Sequence, residues 1–184
     1  MIPVREIYNR HKPAFGFLIR FLIVYVVGNL IYGIWIGFYE PTADPATRLV
    51  SEHTATVLKK TGCPVVTTPS NDHATVFMTL NNQQILEVFE GCNGLNVMIV
   101  FLAFMFAVGK YSLRFYIFSF LGLTLIHLIN LLRISALFWV AINRPSDFYF
   151  VHKYLFTAVL YVLIFLLWAV WLRTVSEKNY ESAS

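Results

Sequence analysis

Three side chains suited to acyl-transfer chemistry stand where apolar runs begin or end: Cys92 in "EGCNG", Arg133 in "HLINLLRISALFW" and His152 after "NRPSDFYF". A thiolate is a strong nucleophile, histidine moves protons near neutral pH, and arginine can hold a carbonyl oxygen or a developing oxyanion. The combination predicts attack on a peptide carbonyl through a covalent thioester. Placed at a helix N-terminus and near an arginine, Cys92 is expected to have a lowered pKa. Asn130 precedes Arg133 by three residues on the same helix face, where its amide can orient the guanidinium. Asn93 sets a second amide beside the thiol. Glu90 opposes a thiolate electrostatically, so it is expected outside direct contact, orienting His152 or capping the helix. Gly91 and Gly94 permit close backbone approach. Taken singly, Arg133 reads as a snorkelling interfacial arginine and His152 as an interfacial histidine. Their coincidence with Cys92 at one depth is what carries the chemical reading.

The elements that position these residues are membrane helices. Of 184 residues, 58% are hydrophobic, 17% aromatic and only 13% charged, and the mean hydropathy is +0.64. That is too apolar for a soluble domain of this size. A helix needs roughly 20 apolar residues to cross the hydrocarbon. Four runs approach or reach this: Ala14 to Phe38, Leu95 to Val108, Phe115 to Ile142 and Val151 to Leu172. The second is short by itself and reaches spanning length only if its helix begins near Cys92. The first follows basic residues but is longer than a signal-peptide core and has no small-x-small cleavage site, so it reads as an uncleaved anchor.

Basic residues set the expected orientation. Arg5, Arg10, Lys12 and Arg20 fall on one side with Lys110, Arg114, Arg173 and Lys178, which places both termini in the cytoplasm. Arg133 lies 18 residues beyond Phe115, about 27 Å along the third span, close to the outer surface. His152 opens the fourth span on that same side. His127 sits about 9 Å deeper than Arg133 and reads as a packing or hydrogen-bonding residue. A net charge of +4 raises no nucleic-acid partner, because the basic residues sit mostly at span ends.

The chain reads as a single membrane domain, residues 1–184, all-α but for an extracytoplasmic insertion over residues 39–91. In that insertion "DPATRLVSEHTATVLKKTG" predicts an amphipathic helix on or near the bilayer surface, with Leu49, Val50, Ala55, Val57 and Leu58 on its apolar side. "CPVVTTPSND" reads as a loop. "TVFMTLNNQQILEVFEG" predicts a β-hairpin about Asn81 and Asn82 that runs straight into the cysteine turn.

The motifs "EGCNGLNVMIVFLAF", "NLLRISALF" and "VHKYLFTAVLYVLIFLLW" resemble, in order and spacing, the cysteine, arginine and histidine motifs of the exosortase and archaeosortase family of membrane transpeptidases, most like the exosortase F-type subfamily of Bacteroidota. The likeness covers about Thr75 to Leu172. It departs from the family in having Asn93 where serine is usual and four spans where many relatives have about eight. The resemblance implies catalytic roles for Cys92, Arg133 and His152. It also implies cleavage of a C-terminal sorting signal, made of a short motif, a transmembrane helix and a basic tail, with transfer to a lipid or other envelope acceptor. A small membrane partner protein and a place in the bacterial cytoplasmic membrane, with the site facing outward, follow from the same resemblance.

The competing reading is a non-enzymatic membrane subunit in which Cys63 and Cys92 are bridged while Arg133 and His152 contact a partner helix or headgroups. No metal or cofactor is expected: the cysteines form no CxxC pair, and His127 and His152 differ too much in depth to share a haem or quinone.

Overall fold

The structure is a computed structural model that describes residues 11–109 and 111–181. Its first helix, α1 (Lys12–Gly37), is apolar on every side and buries none of its residues. That pattern suits a helix solvated by lipid rather than by water. Together with α4 (Leu113–Asn143) and the stretch Pro145–Val175, it is long and apolar enough to cross a membrane. The helix between them, α3 (Leu95–Val108), is apolar but has only 14 residues, about 21 Å of helix. The chain is therefore a mostly helical integral membrane protein. Arg5, Arg10 and Lys110, which contribute to the expected orientation, lie outside the described residues, as does the side chain of Lys178.

Between α1 and α3 lies the insertion, opened by α2 (Pro45–Lys60). The Asp44 carboxylate caps this helix, accepting from the amides of Ala46 and Thr47 at 2.9 and 3.0 Å. Lys59 and Lys60 occupy its last turn, where they favour the helix dipole. Its buried face is Thr47, Val50, Ser51, Thr54, Ala55 and Leu58. Leu49, expected on that face, is instead 49% exposed. The Ser51 and Thr54 hydroxyls donate back to the carbonyls of Thr47 and Val50, both at 2.8 Å, which lets a partly polar face be buried. With this face α2 packs on α4 and on a small sheet.

That sheet has three antiparallel strands, β1 (Val66–Pro69), β2 (Thr75–Leu80) and β3 (Gln83–Phe89), in the order β1-β2-β3. Asn81 and Asn82, at φ 50° and 64°, turn β2 into β3; two consecutive left-handed residues match the twist of a hairpin, and asparagine tolerates them. Strand β1 falls in the segment that reads as a loop. Four residues ending in proline carry no apolar alternation, and only pairing with β2 makes them a strand.

Two cores result. In the insertion, Val50 and Leu58 of α2 and Met78, Leu86 and Val88 of the sheet pack on Leu131, Ile134, Leu137 and Phe138 of α4, enclosing both cysteines. Deeper, Phe101 and Met105 of α3 meet Phe115 and Ile126 of α4 and Trp171. One long helix, α4, belongs to both. Beyond it the chain makes a 3-10 turn (Pro145–Asp147), one α-helical turn (Phe148–Phe150) and a π turn (Val151–Leu155) before α5 (Phe156–Glu181).

Candidate active site

Strand β3 delivers the chain into a 3-10 turn, Glu90–Cys92, and α3 begins three residues later at Leu95. Gly94 joins turn to helix at φ 84°, and a Cβ there would lie 3.2 Å from the Asn130 side chain. Both the left-handed backbone and the close approach call for glycine. Through that gap the Asn130 amide donates to the main-chain carbonyl of Cys92 at 2.8 Å. The other end of the same amide accepts from Nη1 of Arg133 at 3.3 Å. Asn130 thus orients Arg133 and also ties α4 to the cysteine turn.

Cys92 and His152 meet beside Arg133 of α4. The sulfur lies 3.8 Å from Nε2 of His152, and Nη2 of Arg133 lies 3.4 Å from the same nitrogen. A guanidinium only donates, so that contact is a hydrogen bond when Nε2 carries no proton and Nδ1 does. In this tautomer Nε2 can accept the thiol proton. The imidazole is held by Phe148, whose ring stacks parallel to it with centroids 5.8 Å apart and planes 2° from parallel. Phe148 and His152 face one another because the α-helical turn and the π turn follow in succession; local π geometry recurs at functional sites. Neither feature was legible in the sequence beyond the aromatic run "DFYF".

The family model of transmembrane exosortases matches residues 14–169, a stretch that contains Cys92, Arg133 and His152. The chain belongs to the transmembrane exosortase family. No curated protein and no solved structure matches it.

In this exosortase-family chain the expectation of a lowered Cys92 pKa is corrected. Burial pushes the thiol above the ordinary cysteine value, and it outweighs the Arg133 charge and the Phe89 main-chain amide, which both favour the thiolate. Two structural reasons account for this. Cys92 is only 6% exposed, and it lies in the 3-10 turn rather than in the first turn of α3, so that helix's dipole does not act on it directly. The thiol, not the thiolate, is the form that burial favours.

The remaining expected residues divide. Asn93, 1% exposed, bridges three segments: its Nδ2 donates to the Tyr32 hydroxyl at 2.8 Å and to Thr47 Oγ1 at 3.2 Å, and its Oδ1 accepts from the amide of Leu95 at 2.9 Å. Tyr32 in turn donates to the carbonyl of Glu90 at 3.2 Å, and Thr47 donates to the buried Asp44. Tyr32 and Thr47 escaped sequence reasoning because they come from α1 and α2, 46 or more residues away. Glu90 contributes its main-chain carbonyl to this network; among the described residues its carboxylate makes no hydrogen bond to His152. His127 is paired away from the thiol, its Nε2 lying 3.1 Å from Nδ1 of His53 on α2. Cys63 and Cys92 are both free thiols. Among the described residues no three His, Cys, Asp or Glu side chains converge as a metal-binding group.

Proposed function

We propose that this protein is a cysteine-type sorting endopeptidase and transpeptidase, most similar to the F-type exosortases, with Cys92 as nucleophile, His152 as proton carrier and Arg133 as oxyanion and thiolate partner. The observation that carries the reading is the sharing of one nitrogen, Nε2 of His152, between the Cys92 sulfur at 3.8 Å and the Arg133 guanidinium at 3.4 Å. The family membership supports the sorting chemistry.

In the proposed reaction His152 Nε2 takes the thiol proton as sulfur bonds to the scissile carbonyl carbon. Charge that develops on the carbonyl oxygen is met by Arg133, which turns to it as Nε2 becomes protonated. The C–N bond then breaks, and the imidazolium returns its proton to the leaving amine. An acceptor nucleophile, from a lipid or another envelope component, attacks the thioester; His152 takes the acceptor's proton and passes it to the departing sulfur. The substrates are exported proteins that carry a C-terminal motif, a transmembrane helix and a basic tail. A small membrane protein is a proposed partner.

For topology we read four crossings with both termini in the cytoplasm and the thiol facing out. Arg20 supports one common end for α1 and α3, because its guanidinium approaches Gly109 just past the last residue of α3. The short α3 makes the crossing, with the cysteine turn before it at the membrane edge. The decisive experiment compares wild type with Cys92→Ala at matched membrane levels, following the sorting-signal substrate by its size and trapping its thioester with hydroxylamine. Accumulation of unprocessed substrate in the variant and a hydroxylamine-sensitive adduct on wild type are expected; normal processing by Cys92→Ala overturns the reading. A membrane-impermeant maleimide added to intact cells checks the side, and modification of Cys92 only after the cytoplasm is opened overturns the orientation.

A further inference from the structure

Four consecutive residues of β3, Leu86, Glu87, Val88 and Phe89, line one cavity together with Cys92, Ile134, Leu137, Phe148 and His152. Successive side chains of a strand point to opposite faces. Four in a row can border one space only if that space lies along the strand's edge. Among the described residues β3 is an edge strand, paired with β2 on one side alone.

The hydrogen-bond parity of the sheet shows which main-chain groups that edge offers. The amide of Ser70, just past β1, donates to the carbonyl of Thr75 at 2.9 Å, so Thr75 addresses β1. Pro69, which has no N–H, stands opposite Val76, and Val76 therefore addresses the other neighbour, β3. Along β2 the direction alternates, so Val76 and Met78 bond to β3 and Phe77 does not. Their partners are Val88 and Leu86, whereas Glu87 and Phe89 stand opposite Phe77 and Thr75. The N–H and C=O of Glu87 and Phe89 consequently point away from the sheet, toward the cavity that holds the thiol. The favourable action of the Phe89 main-chain amide on the Cys92 thiolate agrees with that direction.

We propose that the peptide segment to be cleaved docks in extended form as a fourth strand on the free edge of β3, with the small aliphatic side chain next to the scissile bond seated in the cavity beside Cys92. This inference rests on the nucleophile reading above and adds how substrate is held and which residue is accepted. Pairing with the main chain of Glu87 fixes the register, as in strand addition to other open sheet edges. The scissile carbonyl then lies beside sulfur, within reach of the Phe89 N–H and of Arg133. The cavity walls, Leu86, Val88, Ile134, Leu137 and Phe148, are apolar, and its volume is about 80 Å³. A cavity of about 150 Å³ by such a measure takes a benzene ring, so this space admits a short aliphatic side chain and not an indole. An extended segment is also what a chain leaving a membrane helix can offer to a sheet edge, since its own amides are unpaired.

The test uses purified full-length protein and three chloromethyl ketone probes of one acetylated tripeptide frame: alanine at the reactive end, tryptophan there, and the alanine probe with its backbone amides N-methylated. Modification of Cys92 is followed by intact mass, with each rate divided by that of iodoacetamide, which needs no docking. The alanine probe is expected to exceed the other two by at least tenfold. Replacing the outward N–H by Glu87→Pro is expected to erase that advantage, because the bonds of β3 to β2 run through Val88 and Leu86. Equal normalised rates for methylated and unmethylated probes overturn the strand addition, and a tryptophan probe as fast as alanine overturns the small-residue cavity. Should Cys92 resist both iodoacetamide and all three probes while Cys92→Ala processes normally, the nucleophile reading falls and this inference with it. Peptide probes that fail while iodoacetamide reacts and Cys92→Ala is inactive sink the docking mode alone.

Discussion

The carbonyl of Cys92 accepts a hydrogen bond from the Asn130 amide at 2.8 Å across 38 residues of sequence. That bond, continued through Asn130 Oδ1 to Arg133, makes the backbone of Cys92 and the guanidinium of Arg133 a single unit. The arrangement explains how a short turn keeps its thiol in register with the long helix it packs on.

Arg133 is where charge and shape can be separated. Lysine preserves the charge and can reach a similar depth, yet it lacks the planar fork that contacts Asn130 and His152 together. Arg133→Lys is expected to insert normally and to process substrate about a hundredfold to a thousandfold more slowly, the usual cost of one lost oxyanion contact. Arg133→Ala should be at least as slow. Processing within threefold of wild type by the lysine variant, at matched membrane levels, would falsify an oxyanion role.

The pH dependence of thiol reactivity follows from burial. Because the Cys92 pKa lies above the ordinary cysteine value, its alkylation rate should still be climbing as pH passes about 8.5. Removing the Arg133 cation should move the rise to higher pH, since the charge that favours the thiolate is gone. Rates of iodoacetamide modification between pH 6 and 10 check both. A plateau reached below neutrality would mean an activated thiolate at rest and would contradict the burial argument.

Tyr32 holds the cysteine turn from α1. Its hydroxyl joins the Glu90 carbonyl to the Asn93 amide, and Tyr32→Phe takes one partner from each, leaving the amide with Thr47 and the carbonyl with the Asn93 N–H. A loss of about 0.5–1.5 kcal/mol is expected, visible as a lower thermal midpoint of the detergent-solubilised protein. Processing should fall by about tenfold as the turn shifts. An unchanged midpoint would show that the network does not restrain the turn.

Cys63 should be dispensable for chemistry though not for packing. It is 5% exposed within the core that also holds Cys92, so alanine suits the site better than serine, whose hydroxyl would need a partner there. Cys63→Ala should retain processing while Cys92→Ala loses it, and Cys63→Ser should show the lower thermal midpoint of the two Cys63 variants. Loss of processing in Cys63→Ala, with its expression intact, would point to a functional pairing of the two sulfurs.

Membrane residence, the apolar runs and the order cysteine, arginine, histidine were legible in the chain itself, because each depends on local composition or on spacing along one helix. The i to i+3 link between Asn130 and Arg133 was legible for that reason, as was the Asp44 cap of α2. What only the tertiary structure decided depends on contacts between distant segments. Strand β1 exists because β2 pairs with it, and Asn93 acquires its partners only when α1 and α2 bring Tyr32 and Thr47 to it. The Cys92 pKa is the clearest reversal. The sequence shows a cysteine near a helix start and an arginine, both of which favour the anion, but burial is a property of the assembled core. Once α4 and the sheet have closed around the sulfur, the cost of desolvating its charge exceeds what the neighbouring cation returns.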